Sequence, residues 1–400
     1  MKFRKWSQQN GAQVIRPGAL RTDGSNEFAH YTMKVRVPRI IEETQALNPD
    51  YPASIHRGLE ALRTAIANDA PIPMLDLPAP DYDDWAAIYA QHQGETWLNT
   101  EWFFGEIYMY RVLLQAVRWW ETGRDPFRPK KLAELANPEL WSFLDTLLEV
   151  SRGLPLAERL DSLIEYDLWG NRIDLSYALA SSHGRSWHPD DLLADDSAPL
   201  IEHLVHVSRN GRGTVHIVAD NVGTELAADC ALIDGLLELV ADRVIFHLKL
   251  HPTFVSDTTA PDMMTFLAAM EERGGDVKAL STRLHNALID GRLKLAPDMF
   301  WNLPHWMWEL PPRLVKTFDG AALVIVKGDA NYRRLSGDAL YQIDTPFAEL
   351  VSFAPFPILA LRTLKSDTVS GIRADLANEL DGLDRNWRNV GRYGVIQFKK

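Results

Sequence analysis

The sequence predicts an α/β protein in two parts. A mainly helical N-terminal domain spans residues 1–180, and a three-layer α/β/α domain with a largely parallel, Rossmann-like sheet spans 181–400. Three observations carry this. Long apolar-periodic stretches without strand punctuation fill the first 170 residues. From about residue 200, short apolar runs alternate with helical periods, the pattern of a parallel sheet covered on both faces. Between them, in LWGNRIDL (168–175) and RSWHPDDLLADDS (185–197), composition shifts to Gly, Asp and Ser, which marks a long connection.

In the helical part, residues 55–68 and 97–121 are the clearest helices, and Pro126, Pro129 and Pro138 separate later ones. In the second of these, Trp102, Phe103, Tyr110, Leu113 and Val117 give a broad apolar face for packing, interrupted by Glu106. The acids Asp190, Asp191, Asp195 and Asp196 lack the D-x-D-x-D-G spacing and later Glu of a calcium loop, so a solvated, helix-capping loop is expected there. Strands are expected at 215–219, 244–250, 293–295, 323–326, 358–361 and 395–398.

Composition narrows the function classes. Hydrophobic content of 46% and charged content of 24% are those of a globular chain, and 400 residues suffice for two or three domains. A net charge of −12 disfavours nucleic acid and anionic membrane as partners. No apolar run approaches the roughly 20 residues that cross a bilayer. The basic start MKFRKWSQQNGAQ has no apolar core behind it, unlike a secretory signal. The single cysteine, Cys230, excludes an internal disulfide and sits on an apolar stripe, which fits a core residue in a reducing cytoplasm.

The stretch TVHIVADNVGTE (214–225) reads as strand, acidic turn and helix, the helix marked by Leu226, Cys230, Ile233, Leu237 and Val240. Ligands of open α/β sheets bind outside the carboxyl ends of the strands, where this turn falls. Three more polar clusters follow expected strands: HPTFVSD ending in Asp257, KGDANYRR from Lys327 to Arg334, and Arg362-Thr363-Leu364-Lys365. In a parallel sheet all four converge on one edge.

Asp220, Asn221 and Asp257 offer two carboxylates and an amide oxygen, hard ligands suited to Mg²⁺ or Mn²⁺ with positions left for water and a substrate oxygen. Lys327, Arg333, Arg362 and Lys365 complement them with charge for a phosphate, and Asp329, Asn331 and Glu225 suit sugar hydroxyls. The reaction that fits is hydrolysis of a sugar phosphate, with Asp220 and Asp257 as catalytic carboxylates and Asp220 the expected proton acceptor. His247 and His251 stand i, i+4 without the Glu of H-E-x-x-H, and structural roles are expected of them. Gly211-Arg212-Gly213 precedes its strand, and neither a phosphate-binding G-x-x-x-x-G-K-[ST] loop nor a G-x-S-x-G elbow occurs.

ADNVGTELAADCALIDGLL, VIFHLKLHPTFVSD, LVIVKGDANYRRLSGD and LRTLK, in that order, resemble the damage-control phosphatase family. The likeness is to the branch with an R-T-x-K motif, also described as acidic-residue methyltransferase-like proteins. ETWLNTEWFFGEIYMYR, LWGNRIDLS and GRYGVIQF resemble it too, so the likeness covers nearly the whole chain. It implies a helical region joined to an α/β domain, and metal-dependent phosphatase activity on sugar phosphates, fructose 1-phosphate and fructose 6-phosphate among them. Mn²⁺, Ni²⁺ and Co²⁺ are the metals it implies. It makes Asp220, Asn221 and Asp257 metal ligands, and Asp220, Asn221, Glu225, Asp257, Asp329, Ala330, Asn331, Tyr332, Arg333 and Lys365 substrate contacts. Val222, Thr224 and Ala330 depart from the family pattern and bear on pocket shape. Two other readings are carried: S-adenosylmethionine-dependent methylation of protein carboxylates, for which the first strand of the α/β region lacks a Gly-rich loop, and a sugar-phosphate sensor without turnover.

Overall fold

The computed structural model describes residues 16–170 and 188–400. The expected boundary at 180/181, most of LWGNRIDL, the start of RSWHPDDLLADDS and the whole basic start MKFRKWSQQNGAQ lie outside the described residues.

Seven strands form one sheet: β1 (Leu192–Asp195), β2 (Thr214–Val218), β3 (Arg243–Lys249), β4 (Leu293–Asp298), β5 (Leu323–Lys327), β6 (Ile358–Thr363) and β7 (Gly394–Lys399). Their order is β1-β7-β6-β5-β2-β3-β4. Every neighbouring pair is parallel except β6 with β7. β2 through β7 lie where apolar runs predicted them. β1 was not expected, because four residues set among aspartates read as a solvated loop. Two of the acids are engaged: Asp191 is buried and accepts from Arg392 Nε at 3.1 Å, and Asp196 accepts the backbone N–H of Phe398 at 2.9 Å, tying the edge strand to β7. Asp190 and Asp195 are exposed, and Asp195 accepts the N–H of Ser197 at 2.9 Å where the next helix begins, the capping place expected.

The N-terminal helices are α1 (Val37–Leu47), α2 (Ala53–Ala67), α3 (Tyr82–Tyr89), α4 (Trp102–Ala116), α5 (Arg128–Leu135), α6 (Pro138–Ser151) and α7 (Leu156–Trp169). α4 is shorter than expected because Arg118 takes left-handed backbone (φ 58°), which ends the helix and starts a separate turn at Trp119. The remaining principal helices are α8 (Ser197–Arg209), α9 (Thr224–Leu239), α10 (Ala260–Arg273), α11 (Gly275–Ile289), α12 (Gly328–Ser336) and α13 (Ala374–Leu383).

The sheet is covered on both faces, as strands buried on alternate sides require. Val215, Ile217, Phe246, Ile325 and Leu359 share one hydrophobic cluster with α6, α7, α9, α10 and α11. Val324, Val326, Ile358 and Ala360 share another with α1 to α4 and with Phe300, Trp301 and Trp308. The N-terminal helices are thus divided between two layers. α9 is buried on nearly every side, far beyond the expected stripe, because it lies between the sheet and α7. Small residues make this possible: a Cβ on Gly235 would meet Leu163 Cδ1 at 2.4 Å. Cys230 lies in this core, and burial pushes its thiol pKa well up, as for an inert core residue.

The histidines of β2 and β3 are structural, as expected of His247. His216 Nδ1 and His247 Nε2 lie 3.0 Å apart, buried against Phe318. Burial lowers the His216 pKa to about 4. The unfolded chain takes up this proton below about pH 6.5, whereas the folded chain refuses it until near pH 4. Stability from this group is complete above pH 6.5 and is lost as pH falls through that window. His216→Phe is therefore expected to lose less stability than the parent between pH 7 and 5, by roughly 2 kcal/mol, measured as the change in urea midpoint.

Candidate active site

The four polar clusters follow β2, β3, β5 and β6, which are adjacent and parallel, so they meet at one sheet edge. The chain runs from β2 to β3 on one side and later returns to β5 on the other. This places Asp220 and Asp329 at the switch point of the sheet, where open α/β sheets form crevices. A cavity of about 420 Å³ opens there. Asp220, Asn221, Glu225, Asp257, Asp329, Ala330, Arg333 and Lys365 line it.

Asn331 and Tyr332 do not line it. The stretch after β5 is the helix α12 from Gly328 onward and not a loop, so at about 100° per residue only part of it faces the cavity. Asn331 turns to the sheet edge and donates to Ala219 O (3.0 Å) and Lys327 O (2.9 Å). Tyr332 is buried behind, donating to Gln397 Oε1 at 3.0 Å.

Residues 220–222 and 256–258 pair side by side beyond the strand ends. Asn221 bridges Asp257, Val222 N donates to Ser256 O, and Thr258 N donates to Asp220 O, the last two at 2.8 Å. This holds Asp220, Asn221 and Asp257 together although 37 positions separate the outer two. The turn that brings Asp257 back carries Phe254 at φ 51° and Val255 at φ 68°. Left-handed backbone is costly for a β-branched residue and tends to persist at functional sites. Asn221 Nδ2 donates to Asp220 Oδ2 (2.7 Å) and Glu225 Oε2 (3.0 Å), and Asn221 Oδ1 accepts from Ser256 Oγ (2.6 Å).

Burial raises the pKa values of all three acids here. Asp220 is pushed well above the usual carboxylate range by burial and then by Glu225 and Asp257; Glu225 is raised, and Asp257 rises to about 6. Lys249, which sequence reasoning missed, lies 3.3 Å from Asp257 Oδ2 at ion-pair distance but off hydrogen-bond geometry, and donates to Trp301 O at 2.6 Å. Lys131, also missed, donates to Asp257 O (3.2 Å) and Asp262 (2.7 Å), so α5 fixes the backbone of this acid.

Two expected phosphate-binding cations are committed elsewhere. Lys327 is buried among Asp167 (2.7 Å), Asp229 (2.9 Å) and Glu225 (3.5 Å) and does not line the cavity. The sequence hides this because Asp167 and Asp229 come from α7 and α9. Arg362 is fully buried, and bonds Asp329 Oδ1, Ser366 and the carbonyl of Thr368. Asp329 Oδ1 also accepts from Lys365 N (3.1 Å) and Ser366 Oγ (3.1 Å). Burial alone would raise the Asp329 pKa, but Arg362 and Arg333 hold it below the ordinary range. Arg362 and Asp329 are thus the brace that places Lys365 at the cavity.

The donor set fits a hard divalent cation. Among the described residues no three His, Cys, Asp or Glu side chains form a metal cage by themselves. Two carboxylates and an amide suit ions that keep waters and take substrate oxygens. Asp257 Oδ2 and Glu225 Oε1 are buried without hydrogen-bond partners, and the acids repel one another, a cost that a cation would offset. Asn221 presents oxygen in place of nitrogen by exchanging the two ends of its planar amide. The helical part supplies much of the other wall, including Trp102, Glu106 and Tyr110, none of them expected at the site. Glu106 left the one legible signal, a charge breaking an apolar helical face.

A family model described as "Damage-control phosphatase ARMT1-like domain" matches residues 32–380. The chain is 29% identical to Damage-control phosphatase ARMT1 of Danio rerio, over 96% of this chain and 97% of that one. It is 26% identical to the Homo sapiens protein of the same name, over 96% and 99%. The crystal structure of a DUF89 family protein from Pyrococcus horikoshii aligns with a TM-score of 0.51 at 17% identity, covering 96% of this chain and all of that one, a likeness of fold.

Proposed function

The chain belongs to the damage-control phosphatase ARMT1-like domain family, and from that membership we propose that it is a divalent-metal-dependent phosphatase acting on sugar phosphates of the fructose 1-phosphate or fructose 6-phosphate kind. The observation that carries this reading is the meeting of Asp220, Asn221 and Asp257 at one sheet edge, with Lys365 on the same cavity. Asp220, Asn221 and Asp257 would hold the cation, Mn²⁺ for preference with Ni²⁺, Co²⁺ or Mg²⁺ as substitutes. When bound it would polarise the phosphoryl group and lower the pKa of the attacking water.

The chain's own residues do the rest. Lys365, placed by the Asp329–Arg362 brace, offsets charge on the phosphoryl oxygens as the bond from phosphorus to the sugar oxygen breaks. The Asp220 carboxylate takes the water's proton as the water oxygen bonds to phosphorus, and the departing sugar oxygen takes up a proton from solvent while Asp220 returns its own to solvent. Val222, Thr224 and Ala330, the departures from the family pattern, all line the cavity and bear on which sugar it takes.

The test is a phosphate-release screen over sugar phosphates with each of the four ions. Metal-dependent release that EDTA abolishes is expected. Methyl transfer to protein carboxylates that survives EDTA, or tight binding of sugar phosphate without turnover, would replace this reading.

A further inference from the structure

Arg333 reaches the cavity from α12, yet its charge is already spoken for. Its Nε and Nη2 grip Asp338 at 2.7 and 3.1 Å, Nη1 donates to Glu106 Oε2 at 2.6 Å, and the guanidinium lies 3.6 Å over the Trp102 ring. With two carboxylates on its one guanidinium, Arg333 has no spare charge for a phosphate, and a phosphate placed against the Glu106 carboxylate would be repelled. A hydroxyl would not be, since an ionised carboxylate only accepts hydrogen bonds and a hydroxyl can donate one.

Glu106 lies on α4 among the buried residues Phe103, Ile107, Met109 and Tyr110, a helix whose surroundings do not favour a charge. It is 13% exposed and lines the cavity. Its Oε2 is bound to Arg333, and among the described residues no hydrogen bond reaches Oε1.

We propose that Glu106 is the specificity-determining acceptor for a substrate hydroxyl remote from the phosphate, and that Arg333 is a positioning residue that fixes it. The inference rests on the phosphatase reading above and deepens it. The phosphate lies toward Lys365 and the polyol end toward Glu106, so the substrate class is a phosphomonoester carrying a hydroxyl away from the ester. Bare alkyl and aryl phosphates leave the carboxylate without its donor and are rejected.

The test uses the full chain with Mn²⁺, comparing the parent with Glu106→Gln and Glu106→Leu. In Gln the carbonyl oxygen stays on Arg333 and an N–H₂ faces the hydroxyl; Leu removes polarity while Asp338 still holds Arg333. Two readouts separate specificity from damage: kcat/KM for a hexose phosphate, and inhibition by inorganic phosphate, which has no remote hydroxyl. The expected result is a loss of about 10- to 100-fold in kcat/KM for Glu106→Leu, mainly through KM, and a smaller loss for Glu106→Gln, whose amide can still donate to the hydroxyl oxygen, with phosphate inhibition unchanged within about twofold in both. Equal weakening of both readouts makes Glu106 a structural residue, and an unchanged kcat/KM removes it from the site; either overturns the proposal. A parent chain that releases phosphate from no sugar phosphate would instead mark the failure of the phosphatase reading, and this inference falls with it.

Discussion

Asp220→Asn is expected to abolish metal-dependent phosphate release, lowering kcat/KM by at least about 10³-fold, while the protein in EDTA becomes no less stable. The functional loss is expected from the two roles proposed for one side chain, cation ligand and proton acceptor. The stability expectation follows from its surroundings. Asp220 is buried, and beyond burial the largest influences on it are repulsion from Glu225 and Asp257. Asn keeps the shape and a hydrogen-bonding oxygen while it removes a charge that Glu225 and Asp257 repel, so melting in EDTA is expected to hold or rise by a few degrees. Added Mn²⁺ should raise the parent's melting temperature by mass action and leave the variant unmoved. Thermal melts with and without Mn²⁺, beside a phosphate-release assay, check all three expectations.

Gly328→Ala gives the same functional loss with the opposite effect on stability. Gly328 opens α12 with φ 78°, a conformation costing an L-residue about 1–2 kcal/mol. A Cβ there would stand 1.9 Å from Asp220 Oδ2, 2.2 Å from Cγ and 2.8 Å from Cβ. Asp220 cannot swing clear, because its own Cβ is among the atoms struck. The acid or the start of α12 must shift, with an expected loss of roughly 3 kcal/mol or more and of the Mn²⁺ response. Gly382→Ala is the control: it lies in α13, where a Cβ meets nothing within 4 Å, and alanine there is expected to be neutral or stabilising by up to about 1 kcal/mol. Urea unfolding of both variants reads the difference.

Much of this was legible in the sequence because the signals are local. A buried parallel strand is a short apolar run, and a polar residue just after it stands at the carboxyl edge of the sheet whatever the strand order. Asp220, Asn221, Asp257, Asp329 and Lys365 were found in this way, and they share one cavity. What stayed hidden depends on partners far along the chain. Lys327 reads as a phosphate cation until Asp167 and Asp229 are seen around it. Arg362 reads as a substrate contact until its bonds to Asp329, Ser366 and Thr368 show it bracing the segment that carries Lys365. Asn331 and Tyr332 were expected at the substrate as part of one polar cluster, but the cluster is the start of α12, where helical phase decides which side chains face the cavity. The helical wall with Trp102, Glu106 and Tyr110 was out of reach because no local pattern says which face of α4 meets the sheet edge.

The proposed phosphatase depends on Asp220, Asn221 and Asp257 holding one divalent cation at the edge of the sheet. Crystals grown with Mn²⁺ and measured for anomalous scattering at the manganese edge test it directly. One strong peak is expected within about 2.0–2.6 Å of an oxygen of each of the three side chains, lost in Asp220→Asn. A peak elsewhere on the chain, or no peak at these residues under Mn²⁺ that supports turnover, would contradict it.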